Sequence, residues 1–440
     1  MQHGDRALPL TRGQLDIWLA HETGRFGTEW QLGLFARIAG RVERGPLEWA
    51  IRRVVREAEP ARVTFFQENG QVLQSPIDDP EVEIAFHDLR DSHDPAKAAF
   101  EIASTIQRTP MSLTGPLFKF AFFQTAPSEF YLFTCCHHII TDGSGVALVG
   151  NRIAAVYTAI VSGAPIPPPF FGSLQDLIKS ELEYEASSDY VEDQAYWTEN
   201  LPSEVGPHCR MPQSTGERDP YLPSAPVRLD PAVLRRVDAL SKAWNIPRSS
   251  IITAASALLV RGWCDEGTES SEVVLDFPVS RRVLPESKTV PGMVAGIVPL
   301  VLKVEPGSAI SEFCEHVDTR IREAVQHQRF PVQALERKTN DHGMGRPADR
   351  VSVNFIPSIF TLDFGGAAAS ASYTSSGVVG GFGFFFSGVG NELFLCTAGP
   401  GQPFSDFNVA DWARRLERVL VGLVADPSRR LSSVDVVDGG

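Results

Sequence analysis

The spacing of apolar and polar positions changes period repeatedly along the chain, and each change marks an element. Between Leu10 and Ala20, Leu15, Trp18 and Leu19 fall at i, i+3 and i+4 behind a Thr able to cap, which predicts an amphipathic helix. A strand-like run, Leu34 to Ile38, precedes a helical pattern from about Pro46 to Glu57. The runs Val63–Phe66 and Gln71–Gln74 flank Glu68-Asn69-Gly70, a hairpin signal. Leu117–Phe123 and Phe130–Cys136 read as apolar strands joined by a short polar loop, after which Val146–Ile160 returns to helical spacing.

The second half opens on a charged helical stretch, Ser180 to Leu201, followed by helices Pro231–Trp244 and Ser249–Trp263. Strands are expected at Val273–Phe277, Ile297–Val304, Val351–Phe355 and Glu392–Leu395, with a closing helix Val409–Ala425. Gly365 to Gly383, rich in Gly, Ala and Ser, carries no clear period and is expected to be a mobile loop or bridging segment. Strand and helix alternate in both halves, so an α/β, pseudo-duplicated fold is expected.

A chain of 440 residues exceeds what one core sustains, and the proline-rich stretch at 163–169 places the expected break between lobes 1–170 and 171–440. With 43% hydrophobic and 21% charged residues the chain can bury a large core. The net charge of -14, with no basic run longer than a pair, excludes a nucleic-acid partner. No uninterrupted apolar stretch reaches about 18 residues, and the first thirty residues show no charged region followed by an apolar one, so no membrane association and a cytoplasmic location are expected. The six cysteines, at 135, 136, 209, 264, 314 and 396, have no C-x-x-C spacing and read as reduced thiols. Cys135 and Cys136 are neighbours on a strand and point to opposite faces, which favours packing over nucleophilic chemistry.

The run His137-His138-Ile139-Ile140-Thr141-Asp142-Gly143 sits between an aromatic-rich strand and a helix. Imidazole suits a group that accepts a proton near neutral pH from an attacking amine, alcohol or thiol. Only one of two adjacent histidines in extended chain can enter a given cleft. The Asp, in a tight turn, is expected to anchor the loop by pairing with an Arg from elsewhere, while backbone N–H groups at the helix start could face a developing oxyanion. Structural histidines are the competing reading; a metal pair would need a further ligand, and none is recognisable by spacing.

At these residues the sequence resembles the condensation domains of nonribosomal peptide synthetases, whose HHxxxDG signature it matches in full. Leu10–Ala20 is similar to the family's opening motif, with Gln14 and Trp18 at its Gln and Trp, and Arg56–Phe65 stands where RHExLRTxF is found, though without the central His. Phe277–Arg282 resembles the segment whose arginine pairs with the motif's Asp, Arg282 aligning better than Arg281, and Val290–Leu300 resembles the stretch that follows it. Asp426–Asp435 is similar to the family's closing segment, so the chain reads as one condensation unit.

The resemblance implies two chloramphenicol-acetyltransferase-like lobes, a pseudo-dimer in a V shape around a central tunnel. It implies that His138 stands at the reaction centre, either accepting the proton of the acceptor amine or stabilising the tetrahedral intermediate. His137, Asp142, Gly143 and Arg282 would be structural. Ser144, Gly145, Gln14, Trp18, Asn354 and Pro357 are tunnel-lining candidates. No bound cofactor or metal is implied: substrates would arrive on phosphopantetheine arms of donor and acceptor peptidyl carrier proteins, with an adenylation domain adjoining and the unit monomeric. Ser144-Gly145, where elongation domains carry Trp-Ser, and Val351–Pro357, similar to the VNVMPF segment of starter domains, point to chain initiation with a non-peptidyl acyl donor. The rivals are a coenzyme-A-dependent acyltransferase of the HxxxDG type, whose DFGWG segment Asp363-Phe364-Gly365-Gly366 partly resembles, and a non-catalytic condensation-like recruitment module.

Overall fold

Asn69 and Gly70 take φ of 51° and 78°, the left-handed pair that a two-residue hairpin of the primed kind requires. They join strands Val63–Glu68 and Gln71–Pro76, which pair antiparallel as the sequence predicts. The computed structural model describes residues 6–21, 27–28, 30–202, 226–262, 272–339, 350–356, 360–376, 382–389, 391–398, 409–426 and 428–434. They form two units: one of 1–187, 280–295 and 358–377, the other of 188–279, 296–357 and 378–440.

The boundary therefore differs from the expected single break at residue 170. The prolines of 165–169 lead into helix Leu174–Glu185, which belongs to the first unit: the Leu174 N–H donates to Glu59 Oε2 at 2.8 Å and Gly172 N–H to the Thr289 carbonyl at 3.2 Å. The expected long helix 180–201 is two helices, Leu174–Glu185 and Ser188–Asn200, parted where the Ser187 hydroxyl and N–H both bond the Tyr184 carbonyl. The chain changes unit between Ser187 and Ser188.

The first unit is built on a six-stranded sheet in the order Phe360–Phe364, Ala367–Ser376, Gln31–Ala39, Glu129–His137, Phe118–Ala126, Glu83–Asp88, antiparallel except for the last pair. Helix Gly143–Ser162 is long and apolar enough to cross a membrane by length and composition. Its Val146, Val149, Ile153, Val156 and Tyr157 instead join the core of this unit with Phe120, Phe122 and Phe133. Buried Arg152 on the same helix pairs with Glu57 of helix Arg44–Glu57 at 2.7 Å.

The segment read as a loop from 365 is a correction. Ala367–Ser376 is an interior strand, with Ala367, Ala369 and Ala371 buried and Ala368, Ser370 and Ser372 exposed. The period of two is present, but Ala against Ser gives too little hydropathy contrast to reveal it. Gly365 and Gly366, at φ 65° and 96°, make the hairpin turn that leads into it, and Gly366 N–H bonds Asp363 Oδ1 at 2.6 Å. Asp363 and Phe364 close the preceding strand, with Phe364 buried, and Gly365 and Gly366 form the exposed turn.

The second unit has its own six-stranded sheet, in the order Gly296–Lys303, Glu272–Val279, Val351–Ile356, Gly383–Val389, Glu392–Ala398, Val227–Arg228. Helices Pro231–Trp244, Arg248–Arg261, Ile310–Gln326 and Val409–Ala425 pack on it through Val237, Ile252, Leu259, Val317 and Leu420. Trp263, the predicted end of one helix, lies outside the described residues.

Candidate active site

Strand Glu129–His137 carries the motif out of the aromatic core, and backbone bonds fix its end: His137 N–H donates to the Leu117 carbonyl at 3.0 Å, His138 N–H to the Trp30 carbonyl at 2.6 Å. One helical turn, His138–Ile140, follows, closed by Thr141 N–H on the His138 carbonyl at 3.3 Å. Asp142 then caps helix Gly143–Ser162, its Oδ1 accepting from Gly145 N–H at 2.8 Å.

The Asp142 carboxylate is fully engaged. Oδ1 also accepts from Arg282 Nη2 at 2.8 Å, and Oδ2 accepts from Val294 N–H at 3.1 Å and Ala295 N–H at 3.0 Å. Arg282 in turn donates to the carbonyls of Val290 at 2.7 Å and Gly292 at 2.9 Å. A buried charge pair whose carboxylate is this fully bonded holds geometry well, although the Arg282 Nε is buried without a hydrogen-bond partner. Arg281 just before it sits at φ 53° and is held separately, its Nη1 3.9 Å from Asp16 Oδ2. Gly145 has a local reason: a Cβ there would lie 2.8 Å from the Pro291 carbonyl oxygen and 2.3 Å from Thr141 Oγ1. Its N–H is spent on Asp142, so of the N–H groups at the helix start this one is already bonded.

The two histidines are divided by burial. His137 is fully buried; its Nδ1 accepts from Ile139 N–H at 3.2 Å, so its ring proton sits on Nε2. Burial first, then the neighbouring His21 and His138, lower its pKa to about 3. His138 is partly exposed. Desolvation lowers its pKa, and backbone groups of His138 and Thr141 with the Asp142 charge only oppose that, so its imidazole is neutral at neutral pH. Cys135 and Cys136 are buried, burial pushing the Cys135 thiol up to about 12 and Cys136 well above its ordinary value, which makes both inert packing residues.

Gln14 and Trp18 are both buried against their own unit. Gln14 is fully buried, exchanging hydrogen bonds with Gln74 at 2.9 and 2.7 Å and accepting from Thr11 N–H, and Trp18 packs at 6.3 Å on Phe65. The inward face of helix Arg12–His21 is Gln14, Ile17 and Trp18, whereas Leu19 is exposed, because the helix packs on the 138–140 turn by a face one position away from the predicted one. Ser144 is partly exposed on the first turn of its helix, Asn354 is partly buried on a strand of the second unit, and Pro357 lies outside the described residues.

Three aromatic residues went unread in the sequence. His21 meets the His137 ring edge-on at 5.4 Å, Trp30 meets His138 at 6.4 Å, and the Tyr373 hydroxyl lies 3.5 Å from the Gly143 carbonyl. Only His21 had a signal, its place at i+7 from Gln14 on the same helix face. Among the described residues no group of three His, Cys, Asp or Glu side chains is placed to hold a metal.

Comparison with known proteins gives one family. The family described as Condensation domain matches residues 5–355. The chain is 28% identical over 85% of its length to a dimodular nonribosomal peptide synthase of Bacillus subtilis (strain 168), of which it covers 16%. It is 26% identical over 98% of its length to an isonitrile lipopeptide synthase of Streptomyces coeruleorubidus, of which it covers 30%. The chain thus spans less than a third of either relative. Among solved structures, the starter condensation domain of rhizomide synthetase, a variant in complex with C8-CoA, shares 26% identity at a TM-score of 0.83, with 98% of each chain covered. The first condensation domain of the calcium-dependent antibiotic synthetase, in complex with a substrate analogue, shares 25% at 0.84, with 99% of this chain and 100% of that one covered. Its α/β architecture and intact motif agree with these matches, and the chain belongs to the condensation domain family.

Proposed function

We propose that the chain joins an acyl group, delivered as a thioester on a donor carrier protein, to the amine of an aminoacyl group on an acceptor carrier. The nitrogen attacks the thioester carbon, the C–N bond forms, the C–S bond breaks, and the donor phosphopantetheine leaves as a thiol. The observation that carries this reading is His138: neutral, partly exposed, and borne on a turn pinned by the Asp142–Arg282 pair. Such an imidazole accepts a hydrogen bond from the attacking amine and takes its proton as the new bond forms. An activated thioester needs no protein nucleophile, and holding the two reactants together supplies much of the rate.

Ser144-Gly145 supports a starter role with a non-peptidyl donor, as does the likeness to a starter domain in complex with C8-CoA and to a lipopeptide synthase. The relatives are multidomain synthases far longer than this chain, which supports carrier proteins and an adenylation domain as its partners. Mass spectrometry of products from a panel of acyl-loaded and aminoacyl-loaded carriers tests the reading. An amide should form with a fatty or aryl donor and fall by about a hundredfold or more in His138→Ala. Undiminished turnover in that variant, or equal rates from free acyl-coenzyme A, would overturn it.

A further inference from the structure

Gly143 of the motif is constrained from outside the motif. A Cβ built on it would meet one neighbour, the Tyr373 hydroxyl, at 3.1 Å, and the same oxygen lies 3.5 Å from the Gly143 carbonyl. Tyr373 stands on Ala367–Ser376, a strand otherwise made of Ala, Ser and Thr, so its ring is the one large side chain that strand presents. The pairing with Gln31–Ala39 shifts register between Tyr373 and Ser375, and such bulges re-aim a side chain. Burial raises the hydroxyl's pKa, the charge of nearby Asp142 adding to the effect, so the group stays a neutral O–H donor. Asp142 is therefore gripped by Arg282 and by the 294–295 backbone, while the next residue is bounded by the tyrosine.

We propose that Tyr373 is a positioning residue for the condensation reaction: its hydroxyl occupies the space a side chain at 143 would need and holds the Asp142-Gly143 turn, and through that turn it sets where His138 stands. The inference rests on the reading of His138 given above. Loss of the hydroxyl frees the turn on one side, and a displacement of the order of 1 Å at a reacting group costs up to about a hundredfold in rate. A methyl at 143 would stand 3.1 Å from the hydroxyl oxygen, so the oxygen must give by a few tenths of an ångström, and removing that oxygen makes room for the methyl.

The test uses the full chain with a carrier-bound donor and acceptor pair that the wild type turns over. Tyr373→Phe should lower kcat about five- to tenfold with KM for both carriers and the melting temperature unchanged, since only transition-state geometry is lost. Gly143→Ala should lose about a hundredfold, and Gly143→Ala combined with Tyr373→Phe should recover at least about fivefold over Gly143→Ala alone, a coupling that independent sites do not show. Wild-type kcat in Tyr373→Phe, or a double variant whose loss is the product of the two single losses, would overturn the proposal. His138→Ala run alongside separates the two readings. Retained turnover there removes the role of His138, whereas its loss beside a wild-type Tyr373→Phe removes only the role of Tyr373.

Discussion

Arg282 Nη2 lies 2.8 Å from Asp142 Oδ1, and the two side chains are 8% and 4% exposed. The pair ties the first turn of helix Gly143–Ser162 to the segment 280–295, and two backbone N–H groups of that segment share the same carboxylate. Removing one partner leaves the other as an uncompensated buried charge, which costs about 3–5 kcal/mol. Asp142→Ala is therefore expected to lose that much stability in denaturant unfolding. Asp142→Asn, which keeps an acceptor oxygen, should lose less. An Asp142→Ala protein as stable as the wild type would show that the pair holds nothing.

If His138 takes the amine's proton as proposed, its pKa shapes the acid side of the rate profile. Desolvation lowers its pKa below the ordinary 6.5, so the neutral imidazole that the reaction needs persists as pH falls to that value. The acid limb that His138 contributes to kcat, measured at saturating acceptor, is expected below pH 6.5; kcat/KM carries in addition the titration of the acceptor's own α-amine, at about 7.7–8.0 in the free state. A kcat profile measured from pH 5 to 8.5 whose limb falls above 6.5 would mean that another group governs the reaction.

Gly145 is predicted to be intolerant of any side chain. Its Cβ would stand 2.8 Å from the Pro291 carbonyl oxygen and 2.9 Å from the carbonyl carbon, and backbone cannot swing aside as a flexible side chain does. Gly145→Ala should cost about 1–3 kcal/mol and push the 291–295 segment away from the Asp142 carboxylate. Both the melting temperature and kcat should fall. An active, fully stable Gly145→Ala protein would show that the two segments do not need this close approach.

How far the sequence reaches can be seen from particular residues. Helix Pro231–Trp244 is legible to the residue, because Asp230 caps its start, accepting from Ala232 N–H, and Asn245 takes φ 54° at its end. The motif turn is legible because Asp142 is at once the helix cap and the anchor. Arg282 is not visible from local pattern, since its partner lies 140 positions away; only the likeness to a family singled it out. The partner of Gln14 is hidden for the same reason, its polar side chain being answered by Gln74, 60 positions on. Tyr373 was hidden inside a strand whose Ala and Ser alternate without contrast, so the least patterned stretch of the chain supplied a residue of the site.

Glu181 and His137 make opposite demands on stability, and the balance can be measured. Burial raises the Glu181 pKa from 4.5 to about 7, against the Arg12 N–H that it accepts at 2.9 Å and the charges of Arg281 and Arg12; Glu185 adds to the rise. Between those values the folded chain holds a proton that the unfolded chain releases, so this group's contribution is full below pH 4.5 and is lost as pH rises through 7. His137, lowered from 6.5 to about 3, works in reverse: the unfolded chain binds the extra proton, and stability rises with pH across that window. In the wild type the Glu181 slope opposes those of His137 and of His138 and His316, whose pKa values burial also lowers, so between 4.5 and 6.5 the melting temperature should rise with pH only weakly. In Glu181→Gln the offset is gone. Its melting temperature should climb from pH 4.5 to 6.5 and exceed that of the wild type by several degrees at pH 8, with the difference vanishing near pH 4.5. Parallel curves for the two proteins across this range would mean that Glu181 is ionised in the folded chain at neutral pH and that its burial is compensated by Arg12 and Arg281.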